Sequence, residues 1–447
     1  MLIRFTVANF MSFKEKTEFN FLTAEEVKTH DNHVFKAENG LELTRFAAMY
    51  GANGSGKSNL VKAMQVFKDI VNESFAPSYL NNIYSDLVYF KLAEGYDKKA
   101  TFFEIECFLK GSFWIFGFEV MYQTIIQEWL YETFPFDESQ DRMIYKRHEK
   151  DIQWGEGIGI DLPGPLINTH IGHFVSRAEQ TPKPPIKEGA AWDTYYLFEP
   201  IANFIRNWVV VYPETSPHFI SFNMDRNSGM KKWVHQLLTI SGIKRLEVKE
   251  TQPMELFALK WKEEIERLNH ILDEGTAVEL LEMPVPAYAQ KVNGEIKLKR
   301  LVTVHQPEGQ DEKAFELYQE SDGTKRILEL AMETYNLVDA EANNHVPRLL
   351  IIDEIENSLH VHLIRHMLYA LSRSTELKGQ LLFTTHDTHL LDPRLFRPDE
   401  IWFAKKNGAE ATELYPMSDI KLYEGEDWEI SYLAGRFGGI PNPIAFI

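Results

Sequence analysis

The run Gly51-Ala-Asn-Gly-Ser-Gly-Lys-Ser58 has the spacing of a phosphate-binding loop, with Gly51, Gly56, Lys57 and Ser58 at its fixed positions. Glycines let successive backbone N–H groups turn inward on a β-phosphate, the lysine reaches the β and γ oxygens, and the hydroxyl after it coordinates Mg²⁺. Asn53, Gly54, Ser55, Gly56, Lys57, Ser58 and Asn59 are therefore the candidate residues around the phosphates of a nucleotide. The flanks match what such a loop needs: apolar Phe46–Tyr50 before it, and Leu60, Met64, Phe67 and Val71 at helical spacing after it. A second chemical run is Arg348-Leu-Leu-Ile-Ile-Asp-Glu354. Four consecutive apolar residues are the mark of a strand buried on both faces, and this one ends in two acids. Asp353 would join Ser58 in a metal shell, while Glu354 would orient and polarise an attacking water. His386 ends the apolar run Leu381–Thr385, where it could hydrogen-bond a γ-phosphate and that water.

A third segment, Glu320-Ser-Asp-Gly-Thr-Lys-Arg326, stands just before an amphipathic pattern with Ile327, Leu330 and Ala331. At a helix start, Ser321 and Gly323 can offer a hydroxyl and a backbone N–H to a γ-phosphate, with the helix dipole adding to the attraction. Asp322 and Thr324 complete that candidate segment, which taken alone also reads as a Ser/Asp helix cap. Asn357-Ser-Leu-His360 follows the acidic run directly. His360, His362 and His366 share a helix and read as its polar face rather than as a metal set. Gln123 and Gln127 are candidates for a further glutamine at the metal.

The elements that must hold these groups fall into three stretches. Residues 1–155 open with two extended segments, Leu2 to Val7 and Thr17 to Phe21, then the loop and its helix, then aromatic period-two runs such as Phe102–Phe108 and Phe113–Val120 that predict an antiparallel sheet. Residues 156–300 form an inserted region, with a proline-rich loop at Thr181–Ile186 and amphipathic helices, one carrying Leu259, Ile265, Leu268 and Leu272. Its heptad-like pattern is too short for a coiled-coil arm. Residues 301–447 bring a helix over Lys325 to Leu337, two parallel-type strands at Leu349–Ile352 and Leu381–Thr385, and another at Ile401–Ala404.

Composition excludes some classes. A chain of 447 residues, 44% hydrophobic, can bury a sizeable core, and no stretch of about 18 apolar residues or secretory leader is apparent. A cytoplasmic protein without membrane contact is expected. The single cysteine, Cys107, offers neither an internal disulfide nor a cysteine-based metal site. A net charge of −19 repels nucleic acid at long range. The best basic runs, Arg142 to Lys150 and Lys297 to Arg300, alternate with apolar or acidic residues, like the solvated face of a hairpin.

In this order the loop, the Ser321 segment, the Asp353-Glu354 strand, the Asn357 turn and His386 resemble the Walker A, signature, Walker B, D-loop and switch histidine of ABC-type, RecF/OLD/SMC-like ATPases. The opening Val7-Ala-Asn-Phe-Met-Ser-Phe13 is similar to their first strand and turn. Within that group, Trp129-Leu-Tyr131 and the end Tyr432-Leu-Ala-Gly-Arg-Phe-Gly-Gly-Ile-Pro441 look like the small RloA/AbiL-type ATPases of bacterial defence islands. Glu320, Asp322 and Thr324 depart from the family's Leu-Ser-Gly-Gly-Gln. The resemblance implies an α/β fold, an ABC-type head in which a P-loop parallel-sheet core carries an antiparallel β-subdomain, with an α-rich inserted region. It implies ATP and Mg²⁺ as ligands, and a homodimer closing head to tail so that one chain's signature faces the other's phosphate loop. About 60 residues after His386 leave no room for a Toprim nuclease, so the implied effector is a separate chain, such as a Toprim-type or RloB-like nuclease. The function implied is an ATP-driven switch in anti-phage defence, with DNA or a phage component as further candidate partners. A RecF-like repair clamp is the alternative. A transporter's nucleotide-binding subunit is disfavoured by the wide separation of Ser58 and Ser321.

Overall fold

The computed structural model describes residues 1–73, 88–122, 124–134, 141–149, 151–158, 199–213, 220–239, 243–280, 287–339, 347–374 and 376–440. The chain forms two compact units, one of residues 1–212, 339–355 and 375–447, the other of residues 213–338 and 356–374. Residues 301–338 thus group with 213–300 rather than with the strand that carries Asp353.

In the first unit, a six-stranded sheet runs in the order Trp208–Val211, Leu349–Ile352, Gln380–Thr384, Phe46–Gly51, Ile401–Lys406 and Thr412–Pro416. The first five are mutually parallel and the last is antiparallel. Leu349–Ile352, Gln380–Thr384 and Phe46–Gly51 are buried along their whole length, which explains their unbroken apolar runs. Their register pairs Ile352 with Phe383 and Thr384 with Met49, so three adjacent strands end nearly level. Whatever follows those strand ends shares one edge of the sheet, where open parallel sheets bind ligands.

The second sheet of this unit has seven antiparallel strands, in the order Asp151–Trp154, Arg142–His148, Thr124–Thr133, Ser112–Met121, Thr101–Leu109, Leu2–Ala8 and Thr17–Asn20. Side chains alternate along Thr101–Leu109, so Phe103, Ile105, Cys107 and Leu109 share the face turned to the core. Both sheets contribute to a single core together with helix Lys57–Glu73. On that helix Leu60, Val61, Met64, Phe67 and Val71 are buried. The Phe67 ring stacks on Phe118 at 5.3 Å and on Trp208 at 5.6 Å, and meets Phe5 edge-on at 5.8 Å. Such ring pairs add about 0.5–1.5 kcal/mol each beyond the area they bury. Buried Gln380 ties the sheets by mimicking a strand: its amide accepts from Leu2 N at 2.7 Å and donates to Leu2 O at 2.9 Å. The parallel-sheet core and its antiparallel partner make an α/β fold.

The stretch expected as an insertion contributes to this core. Helix Glu199–Arg206 and strand Trp208–Val211 lie in the first unit, with Phe204, Ile205 and Trp208 wholly buried. Nor is the remainder simply α-rich. In the second unit, helices Ile220–Arg226, Ser228–Thr239 and Trp261–Ile271 share the space with strands Arg245–Thr251, Glu295–His305, Ala287–Val292 and Ala277–Glu279, paired in that order, and with Lys313–Glu316. Two of these strands do carry a period-two pattern, Leu246 and Val248 between Arg245, Glu247 and Lys249, and Ile296 and Leu298 between Glu295, Lys297 and Lys299, which an α-rich reading passes over.

The basic runs are met by acids at the positions that follow. Arg147 is 1% exposed and pairs with buried Glu128 at 2.9 Å, while Lys297, Lys299 and Arg300 pair with Glu250, Asp225 and Glu255. Among the described residues no helix is long and apolar enough to cross a membrane.

Candidate functional site

The phosphate loop joins strand Phe46–Gly51 to helix Lys57–Glu73. Gly54 and Gly56 have φ of +74° and +111°, so consecutive peptide planes alternate and form the concave amide array that anions favour. At Gly56 no other residue fits, because a Cβ there would overlap the Thr412 side chain. Asn53 and Gly54 form the exposed tip, and Ser55, Gly56 and Lys57 are buried. The Lys57 ammonium folds back on the loop, donating to Gly51 O at 2.7 Å and Ala52 O at 3.3 Å.

A chain of hydroxyls braces the loop from outside. Asn59 donates to Ser12 Oγ at 2.7 Å, Ser12 and Thr412 lie 2.8 Å apart, and Thr412 Oγ1 meets Ser55 O at 2.7 Å. A carbonyl only accepts and a hydroxyl has one proton to give, so the protons run from Asn59 through Ser12 and Thr412 to Ser55. Asn59, read as a phosphate contact, has its side-chain amide in this brace. Ser12 and Thr412 come from the two ends of the chain and carry no local signal of this role.

Across the sheet edge, Asp353 and Glu354 follow strand Leu349–Ile352. Asp353 is 6% exposed, and its Oδ1 accepts from Ser58 Oγ at 3.1 Å and Thr384 Oγ1 at 2.6 Å. Thr384 also accepts from the Glu354 amide at 2.8 Å, and its carbonyl accepts from Ile355 N at 3.1 Å. Glu354 is held at φ +50°, a left-handed conformation that costs a non-glycine residue about 1–3 kcal/mol. This strain turns the chain sharply after the strand, so that the two adjacent acids take different directions. Thr384 is the residue that sequence reasoning missed. Its only trace was the strand-end pair Thr384-Thr385 before His386. His386 itself is exposed just beyond strand Gln380–Thr384.

The donors here suit a hard cation. Ser58 and Asp353 bring a hydroxyl and a carboxylate together, and Mg²⁺ is ordinarily held by one or two such oxygens plus phosphate oxygens and water. Among the described residues no three of His, Cys, Asp and Glu group as a cage. The buried Ser55 hydroxyl, which has no hydrogen-bond partner among the described residues, adds a donor inside the loop.

The Ser321 segment lies in the second unit. Ser321 Oγ accepts from Thr324 N at 3.2 Å and sits 3.1 Å from Thr324 Oγ1, capping helix Asp322–Val338. Ser321 and Asp322 are exposed, whereas Thr324 is buried with its hydroxyl on the cap. Glu320 is anchored by Thr303 and by His305 Nε2 at 2.6 Å. Gly323 has a neighbour that explains it: a Cβ would stand 2.8 Å from the Ser358 carbonyl, in the turn Asn357–His360, where Ser358 itself has φ +60°. His360 caps helix Val361–Ser372 and stacks on His362 with ring centres 5.0 Å apart. Gln127 lies on strand Thr124–Thr133 opposite Glu119 and His148; Gln123 is outside the described residues.

The family model described as "AAA domain, putative AbiEii toxin, Type IV TA system" matches residues 46–156 and 177–392. Among solved structures, the chain is similar to the SMC head domain from Thermotoga maritima at 11% identity, covering 94% of this chain and 99% of that one, with a TM-score of 0.37. An Smc head with an extended coiled coil from Pyrococcus furiosus, bound to a domain of ScpA, gives 14% identity, coverages of 93% and 96%, and a TM-score of 0.36. The recombination mediator protein RecF gives 12%, 93% and 98%, and 0.33. No curated protein matches the chain in sequence.

Proposed function

Because this chain belongs to the AAA-domain family described as putative AbiEii toxin of type IV toxin–antitoxin systems, we propose that it is an ABC-type ATPase that binds and hydrolyses ATP, closes head to tail as a dimer on ATP, and thereby gates a separate effector, a nuclease, in anti-phage defence. One observation carries the reading: Thr384 joins the Asp353 carboxylate to the Glu354 amide beside Ser58, at the ends of adjacent parallel strands. Mg²⁺, held by Ser58 and Asp353, would supply charge neutralisation at the β and γ phosphates. The loop amides and Lys57 hold the phosphates, and Lys57 leaves its loop carbonyls for them. Glu354 accepts the proton of the attacking water, and His386 donates to the γ-phosphate. Ser321 and Gly323 of a second copy close the site from the other side, consistent with the exposure of Ser321 and Asp322. A dimer that exists only with ATP differs in shape from the free chain, and that difference is what an effector can read.

Glu354→Gln tests the reading. It preserves the metal and phosphate contacts and removes only the proton acceptor, so ATP should bind with unchanged affinity while turnover falls by about 10²–10⁴-fold. The protein should then accumulate as an ATP-bound dimer by light scattering. Wild-type turnover in this variant would remove Glu354 from catalysis, and a monomer at saturating ATP would remove the dimer.

A further inference from the structure

We propose that the second unit carries an effector site for a phosphate-bearing small molecule, in the open cavity between helix Ser228–Thr239 and the start of strand Arg245–Thr251. The cavity has a volume of about 390 Å³ and is lined by Lys231, Lys232, His235, Lys244 and Arg245, with Met224 and Leu246 as its apolar part. Such a cluster is out of character for a chain of net charge −19. Two of the cations are fixed by acids outside the lining: Glu312 takes Arg245 in a two-pronged bond at 2.8 and 2.6 Å and Lys244 at 2.6 Å, and Glu247 accepts from Arg245 Nε at 2.7 Å. The other two form no ion pair among the described residues. Lys231 donates to the Asp225 backbone carbonyl at 3.4 Å and lies in the field of the Asp225 carboxylate, which Lys299 and Tyr288 already hold, both at 2.6 Å. No ion pair among the described residues engages Lys232. Four cations therefore face three carboxylates, Glu312, Glu247 and Asp225, of which Glu247 also holds Lys249 and Asp225 also holds Lys299, an excess suited to a phosphate or diphosphate group. The volume falls in the range of small-ligand pockets, and Met224 and Leu246 offer the apolar contact that a base or ring would use.

The cavity's walls lead to the Ser321 segment, which is why the site is assigned to an effector. Lys244 N donates to Val304 O at 3.0 Å, and the residue after Val304, His305, holds Glu320 at 2.6 Å, next to Ser321. On the other wall, Trp233 Nε1 donates to Thr334 on helix Asp322–Val338 at 3.2 Å. A ligand drawing Lys231 and Lys244 together would load both connections. The effector role rests on the proposed use of Ser321; the binding does not.

The test uses the full chain with Lys57→Ala, so that the phosphate loop does not compete, titrated calorimetrically with inorganic pyrophosphate and with 5′-AMP. Saturable binding of at least one probe is expected, weakened tenfold or more by Lys231→Ala/Lys232→Ala and retained by Lys231→Arg/Lys232→Arg. On binding, amide exchange at 321–325 should slow. Silence of both probes, or affinity indifferent to the alanine pair, overturns the site. Binding that leaves exchange at 321–325 unchanged overturns the effector role. A single-stranded 20-mer that binds through these lysines while both small probes fail overturns the small-molecule assignment in favour of a nucleic-acid backbone.

Discussion

Thr384 makes a strong residue-scale prediction because one hydroxyl holds the Asp353 carboxylate and the Glu354 backbone amide, both in the proposed site. Thr384→Val keeps shape and volume but leaves the Asp353 carboxylate and the Glu354 amide each short of a partner, a loss of about 1–3 kcal/mol for an unsatisfied buried group. The left-handed turn at Glu354 also loses its tether. Stability should drop by that amount and turnover at saturating ATP by about tenfold or more, since such misplacement costs rate before affinity. Thr384→Ser should recover both. Chemical denaturation beside steady-state kinetics decides it, and a valine variant with normal turnover would mean the hydroxyl has no part in positioning. Cys107 makes the opposite kind of case. It is fully buried and its thiol is pushed up to about 12, chiefly by burial, so almost none is thiolate at neutral pH. Ellman's reagent should leave the native protein unmodified for hours and label one thiol in urea; prompt native labelling would show that strand Thr101–Leu109 opens. Sequence alone made the loop and the strand that ends at Asp353 legible, because each depends on residue type and near neighbours. The Thr384 bridge and the Ser12–Thr412 brace were not legible, because they exist only once distant strands are side by side.

At the scale of elements, Gly323 sets two effects of opposite sign against each other. Alanine in place of glycine inside a helix normally gains about 1 kcal/mol. At this position its Cβ would meet the Ser358 carbonyl at 2.8 Å, and backbone cannot yield as a flexible side chain does, so overpacking of about 1–3 kcal/mol should win. Gly323→Ala is therefore expected to lower the unfolding midpoint despite improved helix propensity. A rise in midpoint would mean that the turn Asn357–His360 is free to move away from the helix start. The same pair of elements marks where sequence reading stops. Helix Asp322–Val338 and strand Leu349–Ile352 were both legible as apolar patterns, but not that Ser358 packs on Gly323, a contact between segments 35 residues apart. Strand Trp208–Val211 shows a different limit. Its Trp-Val-Val-Val run has the continuous apolar character of a parallel strand, yet it is separated from the rest of the core sequence and was absorbed into the insertion.

For the whole molecule, the sharpest consequence of the proposal is that no single chain completes a catalytic site. Each pocket would take Lys57, Ser58, Asp353, Glu354 and His386 from one copy and Ser321 and Gly323 from the other, related by a two-fold axis. Lys57→Ala should be inactive because it loses the cation between the β and γ phosphates. Ser321→Arg should be inactive because a bulky cation blocks closure, and its fold should survive, since Ser321 is exposed and losing its cap costs only about 1 kcal/mol. Mixed in one dimer, the two defects fall in the same pocket. The intact loop of the Ser321→Arg chain then faces the intact signature of the Lys57→Ala chain, and that pocket should turn over at up to about half the wild-type dimer rate. Co-expression with two tags isolates the heterodimer, and light scattering with ATP checks that it closes. Recovery of turnover in the heterodimer, with both homodimers silent, is the expected result. A closed heterodimer without turnover would mean that the two pockets must fire together. A Ser321→Arg homodimer with full activity would reduce the Glu320–Arg326 segment to a helix cap, and the nucleotide site would then be complete within one chain.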